Sequence, residues 1–391
     1  MTNRNLMQLI HMLKEKLKLK KQRVLVGMSG GVDSSVVALL LQKEGYEAEG
    51  VFIDFIGGEK SERDFQKAKK IADKLKISID KIDAREIFQK EIIDKFVADY
   101  KKGITPNPCV FCNPEMKFKI LIDEADRRGV SYISTGHYAR VGKFLVLSSQ
   151  FTDGENLNLK TNNSLQTKTY KLKTARDDSK DQSYFLYRLT QEQLSRIIFP
   201  LGDYLKTQVR EIARENGFGI KDEEESQDVC FIADNDFNKF ISEKIPNKPG
   251  KIVDNSGKVL GTHQGLHFYT IGQRKGINLG GDGPYFVVKK NLAKNNLIVA
   301  NNFTESLWRD EFEIKNVSWI NTGLIFPLEA KVKIRYRTEE ICAIIDEIEG
   351  TENADRIYKV KLDQPQKAIT PGQSAVFYSK EGEVLGGGII V

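Results

Sequence analysis

A glycine- and serine-rich loop near residue 30 is the first feature whose residue types predict chemistry. The sequence SGGVDS over 29–34 follows an apolar run and precedes a helical pattern. Glycines let backbone N–H groups approach phosphate oxygens, and a helix N-terminus favours negative charge. The hydroxyl groups of Ser29 and Ser34 add donors, and Asp33 can help to hold Mg²⁺. The loop is therefore predicted to bind a pyrophosphate group.

The spacing of this loop excludes two other phosphate-binding motifs. It is not followed by Gly-Lys-Ser/Thr, as in the P-loop that exposes a γ-phosphate. It also does not match the Gly-x-Gly-x-x-Gly of dinucleotide sites. The loop resembles that of the PP-loop ATP pyrophosphatases. The resemblance implies that ATP is cleaved between its α- and β-phosphates and that AMP is transferred to a carbonyl oxygen.

The chain has four cysteines, too few in 391 residues for a disulfide scaffold. They indicate a reducing compartment, in which a special cysteine is catalytic, redox-active or metal-binding. Cys109 and Cys112 follow two prolines that stiffen the segment, and a rigid loop suits a nucleophilic thiol. Their spacing alone also permits a zinc half-site, a redox pair or an ordinary buried pair. Cys230 lies in SQDVCFI, and Cys342, in an alternating strand pattern, is predicted to be a core residue.

Strand and helix patterns that could position these residues alternate through the first third of the chain. Apolar runs predict strands over 23–28, 47–55, 77–82 and 131–135. Helical patterns occupy 34–44, 61–75, 84–102 and 117–128. This alternation predicts the α/β class with a doubly wound parallel sheet.

The pattern changes further along the chain. Residues 143–176 are predicted to form an extended hairpin or a mobile insertion, and 181–216 to be helical. From about residue 237 short strands and glycine turns dominate, and the last segments alternate as in a small β-barrel. We predict three domains, which are a PP-loop catalytic domain with an N-terminal extension (1–236), a small central β-rich domain (237–303) and a C-terminal β-barrel (304–391).

The composition is that of a globular protein, since 40% of the residues are hydrophobic and 29% are charged. No apolar run approaches the roughly 18 residues of a membrane span. We therefore expect a cytoplasmic protein, with no membrane partner, that acts as a monomer. The net charge of +6 permits a polyanionic partner without requiring one. Residues 1–22 predict an amphipathic surface helix or a basic arm that touches RNA.

Several motifs together restrict the possible functions more than the loop alone does. They are GMSGGVDS at 27–34, TPNP at 105–108, CN at 112–113, TGHY at 135–138, KDQSYFL at 180–186, CFI at 230–232, YTIGQRKG at 269–276, RYR at 335–337 and TPGQSAVFY at 370–378. In these motifs, and in their order, the chain resembles the bacterial and organellar tRNA-specific 2-thiouridylases. Members of that family thiolate the wobble uridine of certain tRNAs.

The resemblance implies a reaction in two halves and a role for each matching residue. ATP adenylylates the 2-carbonyl oxygen of the uridine, and a persulfide sulfur then replaces it. Cys230 would carry the persulfide, and Cys112 would complete sulfur release, with a Cys112–Cys230 disulfide as by-product. The implied sulfur donor is a sulfur-relay protein or a cysteine desulfurase.

The resemblance also implies which residues bind the substrates. The implied ATP contacts are Gly27, Met28, Ser29, Gly30, Gly31, Val32, Asp33, Ser34, Ile53 and Gly136. The implied contacts to the target base are Asn107, Pro108 and Cys109. The implied contacts to the rest of the tRNA are Lys180, Asp181, Gln182, Arg335 and Tyr336.

Cys109 leaves a second route to the same product open. Many relatives have aspartate here, a candidate acid/base, and a thiol is a weaker acid. Cys109, Cys112 and Cys230 could also hold a [4Fe–4S] cluster whose free iron binds sulfide. Two other classes of function are a PP-loop enzyme that adenylylates a small molecule and a non-enzymatic RNA-binding or iron–sulfur carrier protein. The first needs no cysteine, and the intact pyrophosphate loop argues against the second.

Overall fold

The computed structural model describes residues 22–147, 166–219, 229–232, 236–280, 284–300, 307–321, 323–348 and 356–391. The predicted N-terminal extension before residue 22 and the middle of the predicted insertion lie outside the described residues. No helix within these ranges is both long and apolar enough to cross a membrane.

A parallel five-stranded sheet forms the first part of the fold. In the spatial order β3-β2-β1-β4-β7, its strands are β1 (Arg23–Gly27), β2 (Glu47–Asp54), β3 (Ile79–Asp83), β4 (Tyr132–Ser134) and β7 (Ile197–Ile198). The strand order reverses between β1 and β4. In open α/β sheets, ligands bind at the carboxyl ends of the strands beside such a reversal.

Helices cover both faces of this sheet, which confirms the doubly wound arrangement. They are α1 (Val32–Lys43), α2 (Gly58–Leu75), α3 (Arg85–Phe88), α4 (Asp94–Lys101), α5 (Cys109–Cys112), α6 (Lys119–Arg127), α7 (Gln191–Arg196) and α8 (Lys206–Glu215). π-Helical turns join α3 to α4 and α5 to α6 at Gln89–Ile93 and Asn113–Phe118. The side chains of Val24 and Val26 pack with α1, whereas that of Leu25 packs with α6 on the opposite face.

The segments after this sheet follow the predictions only in part. β5 (Arg140–Leu147) and β6 (Gln166–Lys173) form an antiparallel pair, as expected for an extended hairpin. Residues 181–216 are not continuously helical, because short 3₁₀ turns at Ser183–Phe185 and Pro200–Asp203 and strand β7 lie among the helices. A strand of only two residues is too short for an apolar pattern to reveal.

The rest of the chain forms the two predicted β structures. After α9 (Phe237–Lys244), a four-stranded sheet has the order β10-β11-β8-β9 and contains β8 (Gly250–Val253), β9 (Val259–His263), β10 (Phe286–Asn291) and β11 (Asn296–Ala300). A closed barrel with the order β12-β15-β14-β13-β16-β17 contains β12 (Trp308–Trp319), β13 (Leu328–Lys333), β14 (Ile341–Glu347), β15 (Tyr358–Lys367), β16 (Ser374–Tyr378) and β17 (Val384–Ile390).

Cys342 corrects one prediction within this barrel. On β14 the side chains of Ala343 and Ile345 are buried, whereas Cys342 is exposed. Side chains alternate across a strand, so the pattern predicts which residues share a face but not which face is inside. The prediction that Cys342 is a core residue is therefore wrong.

Candidate active site

The predicted pyrophosphate loop joins β1 to α1 at the carboxyl edge of the sheet. Gly30 has a φ of +82°, and a Cβ on it would overlap the backbone carbonyl of Asp64, so the loop requires glycine here. Gly31, at the N-cap of α1, is extended and supplies no side-chain hydrogen bond to the helix. The first N–H groups of α1 are therefore not satisfied by a capping side chain, as an anion site requires.

Hydroxyl groups hold the loop in this shape. The Oγ of Ser34 accepts a hydrogen bond from the backbone N–H of Ser29 at 3.1 Å. The Oγ of Ser35 donates to the carbonyl of Gly31 at 2.8 Å. Both Ser34 and Ser35 are buried, so the loop is fixed before any ligand arrives.

Two groups distant in sequence hold the carboxylate of Asp33. Nζ of Lys206 lies 2.7 Å from Oδ1 and 2.8 Å from Oδ2, and the hydroxyl of Tyr138 donates to Oδ1 at 2.8 Å. Lys206 is buried, with 6% of its surface exposed. Sequence reasoning missed Lys206. Its place as first residue of α8, where a positive charge opposes the helix dipole, is the signal that could have marked it.

Asp33 does not form a metal site from protein groups alone. Among the described residues, no three or more His, Cys, Asp or Glu side chains are grouped so that they could hold a metal ion. The Asp33 carboxylate is already paired with Lys206. Protein groups alone therefore do not form a Mg²⁺ site here, and the role of Asp33 toward a Mg²⁺ ion carried on the ATP phosphates stays a prediction.

Two other predicted ATP contacts, Met28 and Gly136, lie against the loop or its neighbouring strand. Met28 is buried, and its backbone N–H donates to the carbonyl of Val51 at 2.8 Å. A Cβ on Gly136 would lie 3.0 Å from both the Asp33 Cβ and the Ser34 nitrogen, so glycine allows the segment after β4 to approach the loop.

Ile53 lies near the carboxyl end of β2, beside a cavity at the same edge of the sheet. The cavity has a volume of about 410 Å³ and is lined by Asp54, Gly57, Gly58, Glu62, Lys81, Asp83 and Arg85. A larger cavity has a volume of about 520 Å³ and is lined by Glu44, Arg176, Ile198, Phe199, Pro200, Asp203, Tyr204 and Gln208. No residue of the loop at 29–34 lines either cavity.

Cys112 and the segment of Cys230 meet in one hydrophobic cluster. Cys112 is buried at the end of α5. It shares the cluster with Phe231, the neighbour of Cys230, and the ring centroids of Phe96 and Phe231 lie 5.2 Å apart. Cys230 itself is exposed. The buried ring of Phe231 thus anchors an exposed thiol beside a buried one.

The environment raises the pKa values of all three thiols. Burial raises the pKa of Cys109 to about 11 and that of Cys112 to about 12, and a neighbouring charge at Cys230 adds to both rises. Desolvation also raises the pKa of Cys230, although this residue reaches solvent. The ammonium of Lys117, a residue that the sequence reasoning missed, opposes the rise at all three thiols.

The described residues show no preformed ligand set for an iron–sulfur cluster. All four cysteines of the chain are free, and the described residues contain no grouping of three or more potential ligands. Cys230 influences the pKa of Cys109, and both of these thiols influence that of Cys112, which places Cys109, Cys112 and Cys230 in one region.

The segment before these thiols lies where the three parts of the molecule meet. The backbone N–H of Thr105 donates to the carbonyl of Pro371 at 3.2 Å, and Nε2 of Gln373 donates to the carbonyl of Thr105 at 2.8 Å. The hydroxyl of Thr105 lies 3.4 Å from that of Thr270. The barrel and the central sheet region therefore both contact the segment that presents the thiols.

The predicted base contacts continue this segment. The side chain of Asn107 hydrogen-bonds the hydroxyl of Tyr184, which in turn donates to the carbonyl of Ser374 at 2.8 Å. Pro108 is the N-cap residue of α5, and Cys109 is its first residue. These contacts hold the backbone that leads into α5, the helix that carries Cys112.

Residues 180–182, predicted to contact tRNA, differ in exposure. Lys180 is half-buried. Asp181 is buried, and its carboxylate accepts hydrogen bonds from the backbone N–H groups of Ala175 and Ser183. Oε1 of Gln182 accepts from the backbone N–H of Tyr138 at 3.0 Å. Asp181 and Gln182 thus position the loops beside the Asp33 site.

Arg335 and Tyr336 lie in the turn between β13 and β14. Nη2 of Arg335 donates to three oxygen atoms at 2.6–3.2 Å, which belong to Ile271, Ala368 and Thr370. The ring centroid of Tyr336 lies 4.4 Å from that of Phe185. These contacts join the barrel to the other two parts, and the neighbouring Arg337 is exposed.

Comparisons with known proteins agree with these three parts. Three family models match, described as tRNA methyl transferase HUP domain over 22–234, tRNA methyl transferase PRC-barrel domain over 238–301 and Aminomethyltransferase beta-barrel domain over 309–390. A tRNA-specific 2-thiouridylase MnmA of Ruthia magnifica subsp. Calyptogena magnifica is 39% identical over 382 residues, which are 95% of this chain and 98% of that protein. The chain belongs to the tRNA-specific 2-thiouridylase family.

Other members of the tRNA-specific 2-thiouridylase family are equally similar. The tRNA-specific 2-thiouridylase MnmA 2 of Clostridium tetani (strain Massachusetts / E88) is 40% identical over 387 residues, covering 96% of this chain and 100% of that protein. Among solved structures, the U34-tRNA thiolase NcsA from Methanococcus maripaludis with its [4Fe-4S] cluster matches 60% of this chain and 70% of that chain, with a TM-score of 0.34 and 16% identity. The PP-loop domain of a family member implies the use of ATP.

Proposed function

We propose that this protein is an ATP-dependent tRNA 2-thiouridylase. It adenylylates the 2-carbonyl oxygen of the wobble uridine and then replaces that oxygen with sulfur, giving 2-thiouridine, AMP and pyrophosphate. The observation that carries the proposal is the presence, in one α/β domain, of an uncapped glycine loop and of Cys112 packed against the segment of Cys230. The near-full-length identity to proteins named 2-thiouridylases supports it.

Adenylylation is the first half of the proposed reaction. The pyrophosphate of ATP lies on the loop at 29–34 and the adenosine beside Ile53 and Gly136. The uridine leaves its stack to reach the α-phosphate, as bases do when an enzyme modifies them. Asn107, Pro108 and Cys109 then contact the base. The carbonyl oxygen attacks the α-phosphorus, pyrophosphate leaves, and the base is activated because AMP is a good leaving group.

Sulfur transfer is the second half. The terminal sulfur of a Cys230 persulfide attacks C2 of the base and AMP departs with the former carbonyl oxygen. The Cys112 thiolate then attacks Sγ of Cys230, so that the persulfide S–S bond breaks and a Cys112–Cys230 disulfide forms. The released sulfur stays on C2 as the thiocarbonyl. A thiol reductant returns both cysteines to the free state.

Exposure of the two thiols supports this division of roles. Cys230 is exposed and can receive sulfur from a relay protein or a cysteine desulfurase. Cys112 is buried, which shields it from external thiols. tRNA is the proposed partner, with Lys180, Gln182 and Tyr336 as its proposed contacts. Asp181 and Arg335 position these residues through hydrogen bonds within the protein. Mg²⁺ on the ATP phosphates, a monomeric state and a cytoplasmic location belong to the same proposal.

Purified protein with unmodified tRNA, ATP and a persulfide donor tests this function. Wild type is expected to release AMP in a tRNA-dependent manner and to form 2-thiouridine. Cys112→Ala and Cys230→Ala should still release pyrophosphate with tRNA but form no 2-thiouridine. Full thiolation by both variants would contradict the persulfide route, and iron bound by wild type but not by Cys109→Ser after anaerobic purification would favour the cluster instead.

A further inference from the structure

The ion pair between Asp33 and Lys206 is a feature of the ATP site for which the proposed reaction gives no role. The side chain of Asp33 is 30% exposed, whereas that of Lys206 is 8% exposed. The carboxylate therefore faces the open side of the loop, and the ammonium lies behind it. A carboxylate in this place repels the phosphates that the uncapped N–H groups of α1 attract.

The backbone of Lys206 is held in place, whereas its side chain is a flexible lysine stem. Oδ2 of Asp177 accepts a hydrogen bond from the backbone N–H of Lys206 at 2.8 Å and fixes the start of α8. A lysine ammonium carries three donors on a flexible four-carbon stem, so it can turn from one oxygen anion to another nearby. The hydroxyl of Tyr138 would remain bonded to Asp33 after such a turn.

We infer that Lys206 is a ligand of the ATP pyrophosphate. Its ammonium pairs with Asp33 in the free protein and exchanges that carboxylate for a phosphate oxygen when ATP binds. The ion pair thus holds the buried ammonium of Lys206 beside the loop. The ammonium neutralises Asp33 until ATP, which carries more negative charge, binds. This inference rests on the proposed ATP-dependent function and adds a binding residue to it.

Calorimetric titration with inorganic pyrophosphate, ATP and AMP tests the inference. Lys206→Met is expected to bind pyrophosphate and ATP about 10- to 100-fold more weakly than wild type, the loss of one charge-assisted hydrogen bond. AMP affinity should change less than about twofold, since AMP lacks the phosphates that Lys206 contacts. Lys43→Met is the control, because it also removes one lysine charge. Lys43 is exposed in the last turn of α1, at the end of the helix opposite the loop.

A double variant separates phosphate binding from simple neutralisation of Asp33. Asp33→Asn with Lys206→Met leaves no unpaired buried charge, so it keeps the test valid even if Lys206→Met alone does not fold. We expect it to bind pyrophosphate as weakly as Lys206→Met, and about 10-fold or more weakly than Asp33→Asn. Equal affinity of the double variant and Asp33→Asn would overturn the role of Lys206. Failure of wild type to bind either pyrophosphate or ATP would instead overturn the proposed function, and this inference with it.

Discussion

Burial suppresses the ionisation of Cys112, the thiol that completes the proposed sulfur transfer. Cys112 is buried with a pKa raised to about 12, so very little of it is thiolate at neutral pH. Only the thiolate attacks sulfur or carbon electrophiles. Lys117 is the cation placed to stabilise the thiolate when it forms. Approach of the substrate must therefore favour ionisation of Cys112.

The raised pKa of Cys112 predicts an unusual pH dependence of alkylation. A raised thiol pKa means that the thiolate fraction still increases about tenfold per pH unit well above pH 8.5, where an ordinary thiol begins to level off. In Cys109→Ser, the rate of iodoacetamide modification of Cys112 should rise in this way from pH 7 to 10. Peptide mass spectrometry at each pH measures the rate, with a small free thiol as control. A plateau near pH 8.5 would contradict the assigned environment.

Sequence proximity determined which site residues could be predicted. The loop at 29–34 is contiguous, so its residue types alone indicate a phosphate site. Lys206 is 173 positions from Asp33, and only the fold brings them together. The grouping of Cys109, Cys112 and Cys230 followed from the family resemblance, whereas Lys117 carries no local signal of its role.

At the scale of elements, the junction of β1 and α1 depends on one glycine. Gly30→Ala should lower the free energy of unfolding, because its φ of +82° is left-handed and a Cβ would overlap the Asp64 carbonyl. The matched control is Gly45→Ala, which also has a positive φ, +93°, but no neighbouring atom within 4 Å. Gly45→Ala should cost about 1–2 kcal/mol for the backbone alone, and Gly30→Ala more.

Urea unfolding measures both variants, and ATP binding measures the loop. The overlap predicts that only Gly30→Ala also loses ATP affinity. A Gly30→Ala protein as stable as Gly45→Ala would show that α2 does not press against the loop as described.

Long periodic elements were predictable, and short ones were not. The pattern over 61–75 corresponds to α2 at Gly58–Leu75, since an amphipathic helix of this length records its buried face in the sequence. β7 has two residues and pairs with β4 only in the folded chain. In the barrel, the alternating pattern identified the strands but placed Cys342 on the wrong face. Alternation shows which residues share a face, whereas the way the strands close into a barrel determines which face is inside.

On the scale of the whole molecule, Arg335 holds the barrel to the central region. Its Nη2 bonds the carbonyl of Ile271, across the junction, and oxygen atoms of Ala368 and Thr370 within the barrel segment. Arg335→Met should lower the free energy of unfolding by about 2–3 kcal/mol, because buried carbonyls lose a charged donor. Thermal unfolding measures this effect.

The exposed neighbour Arg337 is the matched control for this junction. Arg337→Met should change stability by less than about 0.5 kcal/mol. If this turn contacts tRNA, the same variant should weaken tRNA binding. The slope of the logarithm of the binding constant against the logarithm of the salt concentration should then decrease in magnitude by about one. If Arg337→Met lowered stability and Arg335→Met did not, Arg337 rather than Arg335 would be the arginine that holds the junction.

Mass spectrometry of tRNA nucleosides from cells lacking this gene tests the central claim most directly. Loss of wobble 2-thiouridine derivatives, restored by the wild-type gene but not by Cys112→Ala or Cys230→Ala, is the predicted result. Unchanged levels of these nucleosides in cells without another 2-thiouridylase would contradict the claim that this protein thiolates tRNA.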